Sequence, residues 1–270
     1  MQISSIVDIT EGELLNSPSI SFIYNIKTKV NKIQEGDLFI SNNDNEIQEA
    51  LNKGAFGIIH DHDANMLDNE IAWIKVSCIK SSIIKLIRFK LSTCELDAFY
   101  CNDFTLEILT LFTKNSEHKI KLISNNLQDN IDLLESAQNY KSIICSNKEI
   151  LNNIYPDNSI FNSSVHDIKN LIEHSLFETT FSYESNYFSR LKLSSLYIND
   201  FLNVYKYLNT EIDTNKLKKL NIFKPLFIDK YFKLIDYGYS DKFIISQTNS
   251  NLAVNEINYI NNKYKYAKTF

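Results

Sequence analysis

The sequence predicts an α/β protein: a first α/β layer unit, a second unit with a Rossmann-like parallel sheet, and an α+β C-terminal stretch. Three observations carry that prediction. Apolar runs of strand length alternate with segments of helical periodicity through about residue 175, and such alternation builds layered, mostly parallel sheets. Candidate caps and stops stand where the periodicity changes, Asp44 before one helix and Gly54 after it. Beyond about residue 176, aromatic-rich runs pair around short polar breaks, as hairpins do. A chain of 270 residues exceeds one ordinary core, so the expected division is 1–92 and 95–270, with a sub-boundary near 176.

The elements follow in order. "SSIVDITEGELLN" reads as a short helix ending in a turn at Gly12. "SISFIYNI" alternates Ile20, Phe22, Tyr24 and Ile26, the period of a half-buried strand. "GDLFIS" is a strand behind Gly36; a helix follows, capped by Asp44, with Ile47, Ala50 and Leu51 inward. "AFGIIH" and "IAWIKV" are two further strands, separated by the acidic loop "DHDANMLDNE". "CIKSSIIKLIRFKLS" places Ile79, Ile83, Leu86 and Ile87 at helical spacing.

In the second unit, "ELDAFYC", "KIKLIS", "KSIICS" and "NSIF" read as strands. Three helices fall between them, marked by Phe104, Ile108, Leu111 and Phe112, by Leu127, Ile131 and Leu134, and by Ile150, Leu151 and Ile154. Ser146 to Glu149 has the capping-box pattern. A fourth helix, "VHDIKNLIEHS", is expected to bury Ile168, Leu171 and Ile172. The third stretch holds a hairpin around "ESN", a helix over "LYINDFLNVYKYLN" and a second hairpin turning near Asp236-Tyr237-Gly238. A terminal helix from Asn251 to about Tyr264 would bury Ala253, Ile257 and Ile260.

Composition excludes several classes. A net charge of −5 offers no basic face for nucleic acid. No apolar run approaches the ~20 residues of a membrane span, and the start, with Asp8, Glu11 and Glu13, is unlike a signal peptide, so a cytoplasmic protein is expected. The four cysteines lack metal or redox spacing and read as buried free thiols.

The stretch from Glu35 to Asp61, "EGDLFISNNDNEIQEALNKGAFGIIHD", with the "IAWIKV" strand and its helix, resembles the N-terminal domain of the Mur ligases. The likeness is greatest to those that add D-alanyl-D-alanine or the third peptide residue to UDP-N-acetylmuramoyl peptides. It covers about a third of the chain and is anchored on Gly36-Asp37-Leu38-Phe39 and Lys53-Gly54-Ala55. The resemblance implies a link to peptidoglycan precursor metabolism in cell-wall synthesis. It also exposes departures. Where the family has a UDP-holding Ser-Arg pair this chain has Val30 and Asn31, and "SNNDN", with Ser41 and Asn42, is too short for the family's nucleotide-closing loop. Where the family has its Gly-rich ATP loop ending Gly-Lys-Thr, this chain has "AFYCNDFTLEILTLF", with Thr105 in the threonine's place and neither glycine nor lysine.

The ligand-binding candidates are therefore the strand-end groups Asn102 and Asp103, Ser124, Asn125 and Asn126, and Ser146 and Asn147, together with Ser41 and Asn42. Each strand-end group also opens a helix, so capping is the competing reading. His60 and His62 are the residues that could enter a metal site; without a third ligand they read as a solvated strand exit, and no metal or cofactor is expected. His118, His166 and His174 read as structural, and Glu178, Glu184, Arg190, Lys192, Asp229 and Lys230 as solvated or cross-strand charges. Interleaved Lys and Tyr at the C-terminus could stack on sugars or nucleotides. No catalytic residue is identified. The expected function is a non-catalytic Mur-ligase-like pseudoenzyme, binding or scaffolding another protein of cell-wall synthesis or a nucleotide-sugar. The alternative is a small transferase or hydrolase using the strand-end crevice.

Overall fold

The computed structural model describes residues 1–114, 118–162, 164–209, 212–236, 238–245, 247 and 249–265. The contacts gather them into two compact units, residues 1–100 with 119–159 and residues 101–118 with 160–270, a division that crosses the sequence-order boundary at 92–95.

The first unit opens with helix α1 (Ile3–Thr10), whose last turn closes on Glu11 in the left-handed region. A five-stranded sheet follows from β1 (Glu13–Leu14), β2 (Ile26–Lys27), β3 (Leu38–Ile40), β4 (Gly57–His60) and β5 (Ala72–Lys75). Its order is β1-β5-β4-β3-β2, parallel except for β1. Helix α2 (Asp44–Asn52) connects β3 to β4, and α3 (Ile79–Ser92) follows β5. β3 and β4 are buried at every residue, as a sheet covered on both faces requires. One face packs Phe39, Ile58 and Trp73 against Ile47 and Ala50 of α2. The other packs Leu38, Ile40, Ile59 and Ile74 with α1 and α3.

The same cluster runs through α3 into a second sheet. Here β6 (Asp97–Tyr100) leads to α4 (Asp103–Thr113), which belongs to the other unit. The chain then supplies β7 (Ile120–Leu122), α5 (Leu133–Ser136), β8 (Ser142–Cys145), α6 (Lys148–Ile154) and β9 (Ser159–Ile160), where it leaves the unit. The order is β7-β8-β6-β9, with β8 parallel to both β7 and β6, the Rossmann-like arrangement expected.

Several expectations are corrected in this unit. The run 20–26 is not one strand: Ile23 and Ile26 are buried while Phe22 and Tyr24 are exposed, the latter 65%. Ile23 N–H instead bonds Met1 O and Tyr24 N–H bonds Gly36 O. The helix of Leu127, Ile131 and Leu134 is broken into a 3-10 turn at Leu127–Asn130 and the four-residue α5. Asn130 is the physical reason. Its buried amide bonds both the N–H and the C=O of Ser124, which favours a turn over a continuous helix. The caps lie one residue from their expected places, Asn43 rather than Asp44 for α2 and Asn147 rather than Ser146 for α6. Of the cysteines, Cys101 and Cys145 are buried but Cys78 is exposed and Cys94 half-buried.

The second unit is α+β. β10 (Ile168–Ser175), β11 (Glu178–Tyr183) and β12 (Asn186–Leu191) form an antiparallel meander, followed by α7 (Ile198–Leu208). β13 (Pro225–Phe227) pairs with β14 (Phe243–Ile245), and α8 (Ser250–Lys263) ends the described chain. Its core is aromatic: Phe112, Phe188 and Tyr205 pack around Phe201, and Phe104 stacks on Tyr197 with centroids 3.5 Å apart.

The segment expected as a fourth helix is β10. Leu171 and Ile172 are 46% and 53% exposed, so they bury no helical face. Two register shifts and a left-handed Asn170 disturb the strand's alternation, which made its apolar residues fall at helical spacing. In α8 the buried stripe is Leu252, Glu256 and Ile260 in place of Ala253, Ile257 and Ile260, with Ile257 50% exposed. Of the Asp236-Tyr237-Gly238 turn, Tyr237 lies outside the described residues, as does the Lys/Tyr-rich end from 266 to 270.

Two predictions follow from these contacts. Gly36 stands at φ +90°, and a Cβ there would lie 2.1 Å from the Tyr24 ring. Exposed Tyr24 can swing away but the backbone strain stays, so Gly36→Ala should lower stability by about 1–3 kcal/mol in chemical denaturation; a loss under a few tenths would contradict this account. Glu256 is 2% exposed, and burial holds its carboxyl above its ordinary pKa of 4.5 despite hydrogen bonds from Tyr197 Oη and Gln247 Nε2. With the folded pKa raised, the folded state binds more protons than the unfolded one above pH 4.5, so stability declines as pH rises from there through the folded value. Glu256→Gln should flatten that decline in melts across pH 4–8, and an unchanged slope would assign it elsewhere.

Candidate functional site

The strand-end residues fall in different units, and most of them are occupied by local structure. In the first unit, Asn126 accepts from Gln128 N–H, Asn147 caps α6 through Ile150 N–H, and Ser124 Oγ accepts from Asn126 N–H. Asn125 is exposed. Ser146 Oγ is buried with no hydrogen-bond partner among the described residues. Asn102 and Asp103 belong to the second unit.

The loop between β3 and α2 is reduced to Ser41, Asn42 and Asn43. Ser41 is buried, donates from Oγ to Glu46 Oε2 at 2.8 Å and accepts from Asn43 N–H, while Asn42 is exposed. Asn43 accepts from the N–H groups of Asn45 and Glu46, and Asp44 meets His62 Nε2 at 2.9 Å. The groups at this strand end are therefore bonded to one another, apart from Asn42.

His60 and His62 come together more closely than a solvated exit implies. Their ring centroids are 5.6 Å apart, and His60, wholly buried, lies edge-on to Trp73 at 5.9 Å. His60 Nδ1 meets His62 O at 2.8 Å, leaving His60 Nε2 and His62 Nδ1 buried without partners among the described residues. Among the described residues, no group of three His, Cys, Asp or Glu could hold a metal ion. Burial is the main cause that pushes the His60 pKa below its ordinary 6.5, with the charges of His62 and Lys75 adding to it.

In the second unit, α4 begins with an arrangement absent from the sequence reading. Asn102 Oδ1 accepts from Thr105 N–H at 2.7 Å. Asn102 Nδ2 and Thr105 Oγ1 both donate to Asp200 Oδ1 of α7, at 2.6 and 3.0 Å. Asp103, in the first turn, accepts a hydrogen bond from Asn249 Nδ2. Two carboxylates thus stand at the positive end of this helix. The sequence signal was slight: Asp200 lies 98 residues beyond Asn102.

Of the charges expected on solvated faces or in cross-strand pairs, Glu178 is buried and paired to both Arg190 and Lys192. His166, expected to be structural, is buried between Tyr183 Oη and Asn203 Oδ1. The same unit holds a cavity of about 290 Å³ beside the Phe104–Tyr197 stack, lined by Phe104, Phe177 and residues of the 192–197 and 217–225 stretches, and so invisible to motif reading.

Among solved structures, the chain is similar to a crystal structure of MurF from Acinetobacter baumannii, at 12% identity and TM-score 0.53, covering 81% of this chain and 67% of that one. It is equally similar to the structure of UDP-N-acetylmuramoylalanyl-D-glutamyl-2,6-diaminopimelate–D-alanyl-D-alanyl ligase from that organism, at 12% identity and TM-score 0.53, covering 81% and 68%. No protein-family model matches the chain, and no curated protein matches its sequence. The fold is therefore Mur-ligase-like, and the chain spans about two thirds of those ligases. No helix among the described residues is long and apolar enough to cross a membrane.

Because the folded His60 pKa is depressed, the unfolded state binds more protons as pH falls below 6.5, and stability drops through that window. His60→Phe should flatten the acid limb of a stability–pH profile below about pH 6.5. Fluorescence of Trp73, the single tryptophan, would report the same transition; an unaltered acid limb would rule His60 out as its cause.

Proposed function

We propose that this protein is a non-catalytic Mur-ligase-like pseudoenzyme that serves peptidoglycan precursor metabolism in the cytoplasm by binding or scaffolding. The observation that carries the reading is the Asp200 carboxylate at the start of α4. A nucleotide phosphate is held at such a helix start by free N–H groups, a favourable dipole and a lysine. Here the Thr105 N–H is taken by Asn102, the Thr105 hydroxyl by Asp200, and Asp103 adds a second negative charge. Each like-charge contact at about 4 Å costs on the order of 1–4 kcal/mol between bulk water and a protein surface. A triphosphate meets several of them with no lysine in the 98–112 segment to offset them.

The shortened loop after β3 supports the same reading. Its donors and acceptors satisfy one another through Ser41–Glu46, the Asn43 cap and Asp44–His62; Asn42 and Asn43 are both exposed, and Asn43 spends its side-chain oxygen on the cap. The role that fits a retained scaffold with closed sites is pairing with a catalytic ligase of the same pathway, or holding a nucleotide-sugar elsewhere.

Calorimetric titration with Mg-ATP should show no binding at millimolar concentration. Phosphate release with ATP, UDP-muramoyl tripeptide and D-alanyl-D-alanine together should stay at background. Light scattering of the chain mixed with a muramoyl-peptide ligase, and titration with the UDP-muramoyl peptide alone, should reveal the scaffold or the sugar-binding role. ATP-dependent turnover would overturn the proposal.

A further inference from the structure

We infer that the cavity of the second unit is a binding site for a small apolar acid, a compact hydrocarbon or aromatic body bearing one anionic group. The inference rests on that cavity alone and stands whether or not the chain binds nucleotides.

The walls define the body of the ligand. Phe104, Phe177, Leu193, Tyr197, Leu220 and Phe223 give an apolar interior of about 290 Å³. An apolar cavity of about 150 Å³ admits benzene, so one of this size holds on the order of ten non-hydrogen atoms. Phe104 and Tyr197 stack with planes 5° apart and make a flat wall, and Phe223 stands 5.3 Å from Phe177 and 5.9 Å from Tyr197. Phe223 holds this place at φ +53°, a conformation that a bulky residue adopts only when its surroundings enforce it. Tyr197 Oη points its hydrogen bond away to Glu256, so the ring offers the cavity a face and not a polar tip.

The charges define the head of the ligand. Lys192, Lys218 and Lys224 are lining residues, and no Asp or Glu is among the lining residues described. Lys192 shares the Glu178 carboxylate with Arg190, so the head is set by Lys218 and Lys224. Lys218 Nζ donates to the neutral Asn215 Oδ1 at 3.2 Å and forms no ion pair among the described residues. An apolar body with a carboxylate matches both features: the body leaves water, and the head stays at the lysines.

Octanoate, with ten non-hydrogen atoms, is the probe, and 1-octanol and octylamine carry the same chain with a neutral and a cationic head. In titrations followed by calorimetry at low salt, octanoate should bind saturably, octanol at least tenfold more weakly, and octylamine not measurably. The surface variant Lys218→Gln/Lys224→Gln should weaken octanoate about tenfold and leave octanol unchanged. Leu193→Trp, which fills the cavity, should abolish both; if that variant does not fold, judged by near-ultraviolet circular dichroism, the double-lysine variant decides. The inference is overturned if octanoate fails to saturate, if octanol binds as tightly as octanoate, or if the double-lysine variant retains full octanoate affinity.

Discussion

The first unit depends on helix α3 being apolar on more than one side. Ile79, Ile83, Leu86, Ile87 and Leu91 are all buried, and one contiguous core passes from the five-stranded sheet through these residues to the second sheet. At about 1.5–3 kcal/mol for each fully buried aliphatic side chain, this one helix accounts for a large share of the apolar burial that joins the two sheets. Neither sheet could close its inner face without it. A charge at Leu86 or Ile87 would strip the cover from both layers.

That central packing leaves function to the periphery, and the periphery of this chain is largely self-satisfied. In open α/β sheets the strand ends and helix starts are where polar ligands are met. Here those places are filled by the chain's own groups: Asn43, Asn126 and Asn147 as caps, Asn130 on Ser124, and Asp200 on Asn102 and Thr105. A site closed by internal hydrogen bonds binds a ligand only after losing them, and buried groups left unpaired in exchange cost about 1–3 kcal/mol each. The cavity beside the Phe104–Tyr197 stack differs, because its walls are apolar and need no such exchange.

The elements most legible in the sequence were those determined by near neighbours. The helix over "LYINDFLNVYKYLN" buries Ile198, Phe201, Leu202 and Leu208 as its 3.6 period requires, and "ETTFSY" and "NYFSRL" pair about Glu184-Ser185. The parallel sheet of β6, β7 and β8 follows from its apolar runs. β10 was misread because bulges at Lys169 to Ile172 and Glu173 to Ser175 destroy the two-residue period on which strand reading relies. α8 was recognised as a helix but rotated, since a buried Glu256 bonded to Tyr197 is a partner choice made across 59 residues. The site was less legible still: the strand-end asparagines were located as residues, while their partners were not.

By itself the sequence determined the α/β class, the order of most elements, the helix stops and the likeness to a ligase scaffold, because periodicity, caps and turns are interactions between residues a few positions apart. Tertiary structure alone decided which faces those elements bury, that Asp200 occupies the start of α4, that the His60 ring packs edge-on between His62 and Trp73, and that a lysine-rimmed cavity forms. The physical reason is separation along the chain. Asn102 meets Asp200 across 98 residues and Asp103 meets Asn249 across 146, and contacts at that range exist only once burial of the core has brought their elements together.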